Sequence, residues 1–220
     1  MGILITPQKG IHQEALEHFL SLCDKKTYPA KTSVIKPGDK GDKLYFIIEG
    51  SVRICVEGDN GKQELILAYV NKNQFIGELG VFKGAEERKV SIKTRCQCQF
   101  AEISYEKFHQ LLKEELRDYA ADLLYLIGIQ ISERLLITNR KFYDLAFMDV
   151  EGRIARTLLD LCKEPDAITH PEGMQLHITR QEIALIVGCS REMAGRVLKE
   201  LENKGLIAAH GKTIVVFGTR

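Results

Sequence analysis

Residues 178–201 constrain the fold of this chain more than any other segment. They read ITRQEIALIVGCSREMAGRVLKEL, and the spacing of the apolar residues predicts two short helices joined by a tight turn. Thr179 can cap the first helix, and Glu182 three residues later can complete a capping box. Gly188 stands where a helix end needs left-handed backbone, and Ser190 can cap the second helix. The segment is therefore predicted to be a helix-turn-helix.

The second of these helices has two different faces. Four apolar residues recur at i, i+3, i+4 and i+7 and are expected to face a core: Ala194, Val197, Leu198 and Leu201. The residues left outside are charged: Arg191, Glu192, Arg196 and Lys199. Such side chains can read base edges in a major groove. An ordinary pair of helices with a solvated charged face fits the same spacing, so the segment alone leaves both interpretations open.

Length and composition bound the remaining possibilities. A chain of 220 residues with 45% hydrophobic content favours two domains. No apolar run approaches the roughly 20 residues that span a bilayer, and no signal peptide is evident, so we expect a cytoplasmic protein without a membrane partner. The net charge is +1, so binding to nucleic acid must depend on a local basic face. The six cysteines are scattered without a CxxC, which predicts reduced thiols and no metal site.

In the N-terminal half, the residue pattern changes from that of a helix to that of short strands. Residues 11–22 have the spacing of a short amphipathic helix. Four short runs rich in β-branched and aromatic residues follow: LYFII (44–48), SVRICV (51–56), ELILAYV (64–70) and VSIK (90–93). Turn signals separate them, and Asn60-Gly61 is a strong hairpin turn. This rhythm predicts an antiparallel sandwich or barrel.

The segment 118–147 is predicted to be the longest helix. Its apolar positions alternate in steps of four and three, as in a heptad seam: Leu124, Gly128, Ile131, Leu135, Thr138, Phe142 and Leu145. A seam this long in a small protein favours a dimer interface over a buried helix. The polar break at Thr138 can fix the register of the dimer or form part of a ligand site.

A glycine-containing segment, FIGELGVFKGAEERKV (75–90), carries the second candidate site. Gly77 allows close approach of a ligand to the backbone. The Glu78 carboxylate can accept from a ribose hydroxyl, and the Arg88 guanidinium can grip a phosphate with two donors. Together these groups suit a cyclic nucleotide, although a Glu–Arg surface pair beside a loop is the simpler interpretation of the spacing alone.

The order of these parts resembles the cyclic-AMP receptor protein (catabolite activator protein) family of bacterial transcription regulators. The motifs that carry the resemblance are GELG…ER, LAFMDVEGRIARTL, ITRQEI, VGCSRE and HGKTIVV, and they extend over essentially the whole chain. The resemblance implies an α+β protein with three parts. They are an antiparallel β-roll or jelly-roll cyclic-nucleotide-binding domain (1–117), a dimerisation helix and hinge (118–147), and a winged helix-turn-helix domain (148–220).

The same resemblance implies how the protein meets DNA. Arg191, Glu192 and Arg196 would enter the major groove and read a TGTGA-like half-site, and Arg180 would contact a phosphate. The full implied DNA-contacting set is Arg180, Ser190, Arg191, Glu192, Arg196 and Lys199. A homodimer would bind a palindrome whose half-site centres lie about one helical turn apart.

A surface for RNA polymerase is implied as well. Thr169, His170 and Gly173 resemble the surface that touches RNA polymerase in activators of the family. An inert loop is the alternative for these three residues.

The implied ligand set contains two departures from the family pattern. It comprises Gly77, Glu78, Leu79, Arg88, Lys89, Arg134, Thr138 and Asn139. The family usually has Ser or Thr where this chain has Lys89, and its best-known member has Ser where this chain has Asn139. Lys89 can add a positive contact to phosphate, fill the pocket, or favour a ligand with more negative charge.

The segments SREMAGRVLK and RCQCQFAEISYE resemble the Clp branch, whose members respond to cyclic di-GMP and can bind DNA without cyclic AMP. Cyclic AMP is the expected effector, with cyclic di-GMP or no small ligand as alternatives.

Two other classes of function are disfavoured. A cupin-type enzyme needs a cluster of histidines and carboxylates on the strands, but the six histidines all lie outside residues 28–103. A nucleotide-binding subunit of a kinase or channel would not need a helix-turn-helix. We therefore expect a regulator and not an enzyme.

Overall fold

The computed structural model describes residues 11–58 and 64–219. The predicted Asn60-Gly61 turn lies outside this part of the chain. The helices are α1 Ile11–Ser21, α2 Leu79–Lys83, α3 Tyr105–Leu111, α4 Ala120–Phe147, α5 Val150–Leu161, α6 Arg180–Val187 and α7 Arg191–Asn203. The strands are β1 Asp24–Tyr28, β2 Ser33–Ile35, β3 Lys40–Gly41, β4 Lys43–Glu49, β5 Ser51–Glu57, β6 Glu64–Asn71, β7 Phe75–Ile76, β8 Glu86–Glu87, β9 Ser91–Thr94, β10 Cys98–Ser104, β11 Ile168–His170, β12 Gly173–His177, β13 Ile207–His210 and β14 Thr213–Phe217.

The chain divides into two compact units within α4. The N-terminal unit runs as far as Thr138, and the C-terminal unit begins at Asn139. Residues 57–58 and 64–66, at the ends of β5 and β6, group with the C-terminal unit. Helix α4 therefore contributes to both units. In the part of the chain that the structure describes, no helix is both long and apolar enough to cross a membrane.

Two antiparallel sheets form the body of the N-terminal unit, with strand orders β1-β10-β4-β7 and β2-β9-β5-β6. A core of apolar side chains from both sheets lies between them: Ile35, Ile47, Val52, Val70, Ile76, Ile92, Cys98 and Phe100. Burial alternates from Lys43 to Phe46 along β4, as the two-residue period of a strand requires. The predicted β-roll is thereby confirmed. The register Tyr45↔Ile76 places β7 beside β4, and the glycine-containing segment follows directly from β7.

The helices α1, α3 and α4 bury a second core in the same unit. Its largest members are Phe19, Phe46, Phe75, Phe108, Leu123 and Ile127. The predicted heptad seam of α4 is only partly covered by this core. Leu124 and Ile131 are partly buried against this core, whereas Leu135, Phe142 and Leu145 are 58%, 73% and 58% exposed. A Cβ added at Gly128 would meet no atom within 4 Å. The apolar residues of the seam from Leu135 onward are thus uncovered on the single chain.

The C-terminal unit packs α5, α6 and α7 with the sheet β11-β12-β14-β13. Asp149 caps α5, because its carboxylate accepts from the Gly152 amide at 2.8 Å. The hairpin of β13 and β14 follows α7. The segment 168–177, between α5 and α6, contains β11 and β12, which pair antiparallel. Gly173 begins β12 where a Cβ would lie 2.0 Å from the Val216 carbonyl oxygen, so a side chain does not fit there.

Candidate DNA-binding and ligand-binding sites

The caps of the helix-turn-helix form as the sequence predicts. The Thr179 hydroxyl accepts from the Glu182 amide at 3.1 Å, and the Ser190 hydroxyl accepts from the Met193 amide at 3.1 Å. Gly188 ends α6 in the left-handed region, with φ 73° and ψ 48°. Its positive φ is available to glycine without a steric penalty. These local contacts fix the turn between α6 and α7.

Helix α7 buries one face and exposes the other. Ala194, Val197, Leu198 and Leu201 are buried, as predicted. The charged side chains are exposed and make no ion pair with another described residue: Arg180, Arg191, Glu192, Arg196 and Lys199. A Cβ added at Gly195 would lie 3.5 Å from Arg180 Cδ, an ordinary contact distance, so Arg180 lies against α7 at this position. The arginine of α6 thereby joins the exposed face of α7, which is rich in donors for phosphates and base edges.

The residues implied to touch RNA polymerase lie in β11 and β12. Thr169 is exposed, and His170 is partly buried with its Nδ1 atom accepting from the Glu172 amide at 3.3 Å. Gly173 is buried and pairs with His170 and Phe217. Thr169 and His170 therefore offer side chains on this surface, while Gly173 shapes the strand beneath them.

A hydrogen-bonded cluster surrounds Gly77. The Tyr105 hydroxyl donates to the Gly77 carbonyl oxygen at 2.6 Å and accepts from Arg88 Nη2 at 3.2 Å. Arg88 Nη2 also donates to the Lys43 carbonyl oxygen at 2.7 Å. Gly77 has φ 82°, and a Cβ there would lie 2.6 Å from the Lys43 carbonyl oxygen. Only glycine fits this position, and the close packing holds Arg88 beside it.

The guanidinium of Arg88 is held in place by hydrogen bonds, but not all of its donors are used. Both of its hydrogen bonds use Nη2, so Nη1 and Nε have no partner among the described residues. A guanidinium fixed on one side is pre-organised to bind an anion on the other. Burial raises the pKa of Tyr105, although the charge of Arg88 opposes this change. The phenol therefore stays protonated at neutral pH and continues to donate to Gly77.

A buried ion pair joins the same segment to α4. Arg134 Nη1 lies 2.6 Å from Glu78 Oε1, and Arg134 Nη2 donates to the Phe75 carbonyl oxygen at 2.6 Å. Gln130 also holds Phe75, since its amide group donates to the Phe75 oxygen at 2.8 Å and accepts from the Phe75 amide at 2.7 Å. Glu78 is only 5% exposed, so its charge depends on Arg134 for compensation. The pair anchors α4 to the segment after β7.

The other four predicted ligand residues are exposed. Leu79 begins α2, and Lys89 stands two residues after β8. Thr138 is one helical turn beyond Arg134, and its hydroxyl donates to the Arg134 carbonyl oxygen at 2.8 Å. Asn139 is the first residue of the C-terminal unit in α4. The structure thus brings Gly77, Glu78, Arg88 and Arg134 together, while the side chains of Leu79, Lys89, Thr138 and Asn139 face solvent.

The sequence analysis missed three residues that hold this site: Lys43, Tyr105 and Gln130. Lys43 is in turn tied to Glu102, whose carboxylate also accepts from Tyr28 at 2.5 Å and from Lys26 at 3.1 Å. Burial raises the pKa of Glu102, but the hydrogen bonds from Tyr28 and Lys26 outweigh that effect and lower it overall. Lys43 lies 45 residues from Arg88 along the chain, so no sequence spacing indicates the contact.

The described residues contain no group of three or more histidines, cysteines, aspartates and glutamates placed to hold a metal ion.

Comparison with known proteins identifies both units. Residues 25–115 match the cyclic nucleotide-binding domain family, and residues 152–217 match the Crp-like helix-turn-helix domain family. The CRP-like protein Clp of Xanthomonas euvesicatoria pv. vesicatoria is 50% identical over 215 residues, which cover 98% of this chain and 93% of that protein.

Two solved structures are similar in fold as well. The c-di-GMP responsive global regulator CLP of Xanthomonas campestris has a TM-score of 0.88 at 50% identity, covering 94% of this chain and 100% of that one. A CRP/FNR-family transcriptional regulator from Thermus thermophilus shares the fold at 24% identity, with a TM-score of 0.73 over 88% of this chain and 93% of that one. The chain therefore belongs to the CRP-like family and is a DNA-binding transcription regulator, not an enzyme.

Proposed function

We propose that the protein is a homodimeric regulator that binds a TGTGA-like palindrome under the control of a cyclic nucleotide and contacts RNA polymerase. The observation that carries this proposal is the arrangement around Gly77. Arg88 is held there by two hydrogen bonds and keeps further donors available, and the buried Glu78 carboxylate is paired with Arg134 of α4. A ligand that engages both groups acts on the longest helix of the chain.

The proposed dimer forms along α4. Leu135, Phe142 and Leu145 repeat at heptad spacing and are more than half exposed on the single chain. Pairing two copies of this stripe buries apolar surface that water otherwise covers. Since a helix-turn-helix dimer reads two half-sites, the same pairing supplies the second recognition helix.

Cyclic AMP is the first ligand that we propose. Its single phosphate suits the free Nη1 and Nε donors of Arg88, and its ribose hydroxyl suits the Glu78 carboxylate. A hydroxyl that donates to Glu78 competes with Arg134 for the carboxylate. Ligand binding then weakens or reorients the Glu78–Arg134 ion pair that anchors α4. As a result, one arrangement of the dimer becomes more populated.

Cyclic di-GMP is the second candidate, and two observations favour it. The regulator CLP of Xanthomonas campestris, described as c-di-GMP responsive, is 50% identical to this chain. The exposed Lys89 follows Arg88 directly and adds a second cation for a second phosphate. Action without any small ligand is the remaining alternative.

The proposed contact with RNA polymerase uses Thr169 and His170. Both lie on β11, outside the helices α6 and α7 that carry the proposed DNA contacts.

Calorimetric titration with each nucleotide, followed by DNA binding measured by gel shift, tests the proposal. Arg88→Ala is expected to weaken the true ligand by at least about tenfold, because a charge-assisted bidentate contact is lost. Lys89→Ser separates the two candidates, since it is expected to weaken cyclic di-GMP but to leave cyclic AMP binding intact. Neither nucleotide binding to the wild-type protein, or Arg88→Ala binding both unchanged, would contradict a ligand site at Gly77.

A further inference from the structure

A cavity of about 350 Å³ lies between α1 and α4 and shares Phe75 and Gln130 with the surroundings of the cluster around Gly77. Its lining residues are Gln13, Leu16, Glu17, Leu20, Phe46, Asn73, Phe75, Leu126 and Gln130. Phe46, Phe75, Leu126 and Gln130 are buried and form the floor, while Gln13, Glu17 and Asn73 are exposed at the mouth. This volume falls within the range of small-molecule sites, and an apolar body with a few polar groups at one end is their usual lining.

The chemistry of the lining limits what can enter. The apolar wall of Leu16, Leu20, Phe46, Phe75 and Leu126 suits a hydrocarbon or aromatic body. The side-chain amide of Gln130 is held by both backbone groups of Phe75, which fixes its orientation in the floor of the cavity. Glu17 is the one lining residue with a formal charge, and Gln13 donates to only one of its oxygens, at 3.0 Å.

We propose that this cavity is a binding site for a small amphipathic molecule with an apolar body and a cationic or neutral donor head. The body lies on Phe46, Phe75 and Leu126, and the head reaches Glu17 at the mouth. A carboxylate of the same shape is disfavoured because its charge would face the Glu17 carboxylate at the mouth.

The site is linked to α4 through Phe75. The Phe75 ring lines the cavity, and its carbonyl oxygen accepts from both Gln130 and Arg134. A molecule that displaces this ring changes the position of the carbonyl that holds Arg134. A bound molecule is therefore expected to change the surroundings of Glu78 and Gly77 even without a nucleotide. This inference does not rest on the proposed nucleotide control.

Three matched probes test the proposal on the full chain without nucleotide: 4-phenylbutylamine, 4-phenylbutanol and 4-phenylbutyrate. Methyl-labelled leucines are observed by NMR during each titration. The amine is expected to shift Leu16, Leu20 and Leu126, to leave Leu206 unchanged, and to bind at least about tenfold more tightly than the carboxylate. The amide of Gly77 is expected to shift with the same affinity.

Two variants of α1 provide the matched control. Glu17→Gln is expected to abolish the preference for the amine, whereas Glu14→Gln, which changes an exposed residue of α1 outside the cavity, retains it. Leu16→Trp is expected to fill the cavity and abolish binding of the amine, with an unchanged thermal melt as evidence of folding. Binding of amine and carboxylate with equal affinity, no shift at the three leucines, or survival of binding in Leu16→Trp would overturn the site. Leucine shifts without a shift at Gly77 would overturn the link to Arg134.

Discussion

The exposed face of α7 and the cluster around Gly77 are both rich in charge but hold it differently. On α7, Arg191, Glu192 and Arg196 are exposed and make no ion pair with another described residue. Around Gly77, Arg88 is held by two protein oxygens, and Glu78 is buried against Arg134. The charged side chains of α7 are in contact with water and are available to a partner. The charged side chains around Gly77 already make hydrogen bonds and an ion pair within the fold.

This difference separates stability from recognition. Truncating an exposed side chain on α7 is expected to remove a proposed contact to DNA but no ion pair within the described part of the protein. Truncating a side chain around Gly77 is expected to remove a proposed ligand contact and also to leave a buried group without its partner. The following predictions test that separation, beginning with the largest expected effect.

Arg134→Ala is expected to destabilise the N-terminal unit by about 3–5 kcal/mol, because it leaves the Glu78 carboxylate buried and unpaired. Urea unfolding measures the change. The double variant Glu78→Gln with Arg134→Met is the control, since it removes both charges and is expected to recover most of the loss. If Arg134→Ala unfolds at the wild-type urea concentration, the ion pair does not hold the segment after β7.

Arg196→Ala is expected to weaken binding to a TGTGA-like site by about 1–3 kcal/mol and to leave the melting temperature unchanged. Fluorescence anisotropy against specific and scrambled DNA measures both affinity and discrimination. Lys199→Ala is the matched control, because loss of a phosphate contact weakens both DNAs alike and lowers the salt dependence. Equal losses on both DNAs for Arg196→Ala would assign it to the phosphate backbone.

Tyr105→Phe is expected to cost about 1 kcal/mol of stability, since it removes the hydroxyl that bridges Arg88 and Gly77. Affinity for the nucleotide is expected to fall further than stability does, because Arg88 is no longer held at the ligand. Tyr119→Phe, which removes an exposed hydrogen bond to Glu14, is the control and is expected to leave nucleotide affinity unaltered.

The smallest expected effect is a dependence of stability on pH that comes from Glu102. Its pKa is lowered in the folded protein, so the folded state is favoured while Glu102 is ionised. That contribution is present above the pKa of an unfolded glutamate and is lost as the pH falls through the lower pKa of the folded state. The difference in melting temperature between wild type and Glu102→Gln should therefore shrink as the pH falls from 7 towards 3. A difference that stays constant would contradict the ionised network with Tyr28 and Lys26.

The helix-turn-helix could be predicted from the sequence because its determinants are local. Thr179, Gly188 and Ser190 act on amides and carbonyls a few residues away, and the burial of α7 follows its own periodicity. The heptad spacing of α4 likewise predicted a long helix, and its start differs by only two residues. The strands β11 and β12 were missed because Pro171 and neighbouring turn residues dominate that segment, and its pairing with β14 is a tertiary contact.

The cluster around Gly77 could be predicted only in part. Gly77, Glu78 and Arg88 stand close together in sequence and carry the ligand chemistry. Gln130 meets Phe75 across 55 residues, and no local pattern marks that contact. Which residues complete such a site is decided by the packing of β4, α3 and α4 and cannot be deduced from spacing.

The most direct test of the central claim is the affinity for a TGTGA-like palindrome with and without saturating nucleotide, in wild type and Arg88→Ala. The account predicts that one cyclic nucleotide changes the wild-type affinity by about 5–150-fold, the usual range of allosteric coupling, and that Arg88→Ala loses this response. A response of the same size in Arg88→Ala, or a wild-type affinity that neither cyclic AMP nor cyclic di-GMP alters, would contradict it.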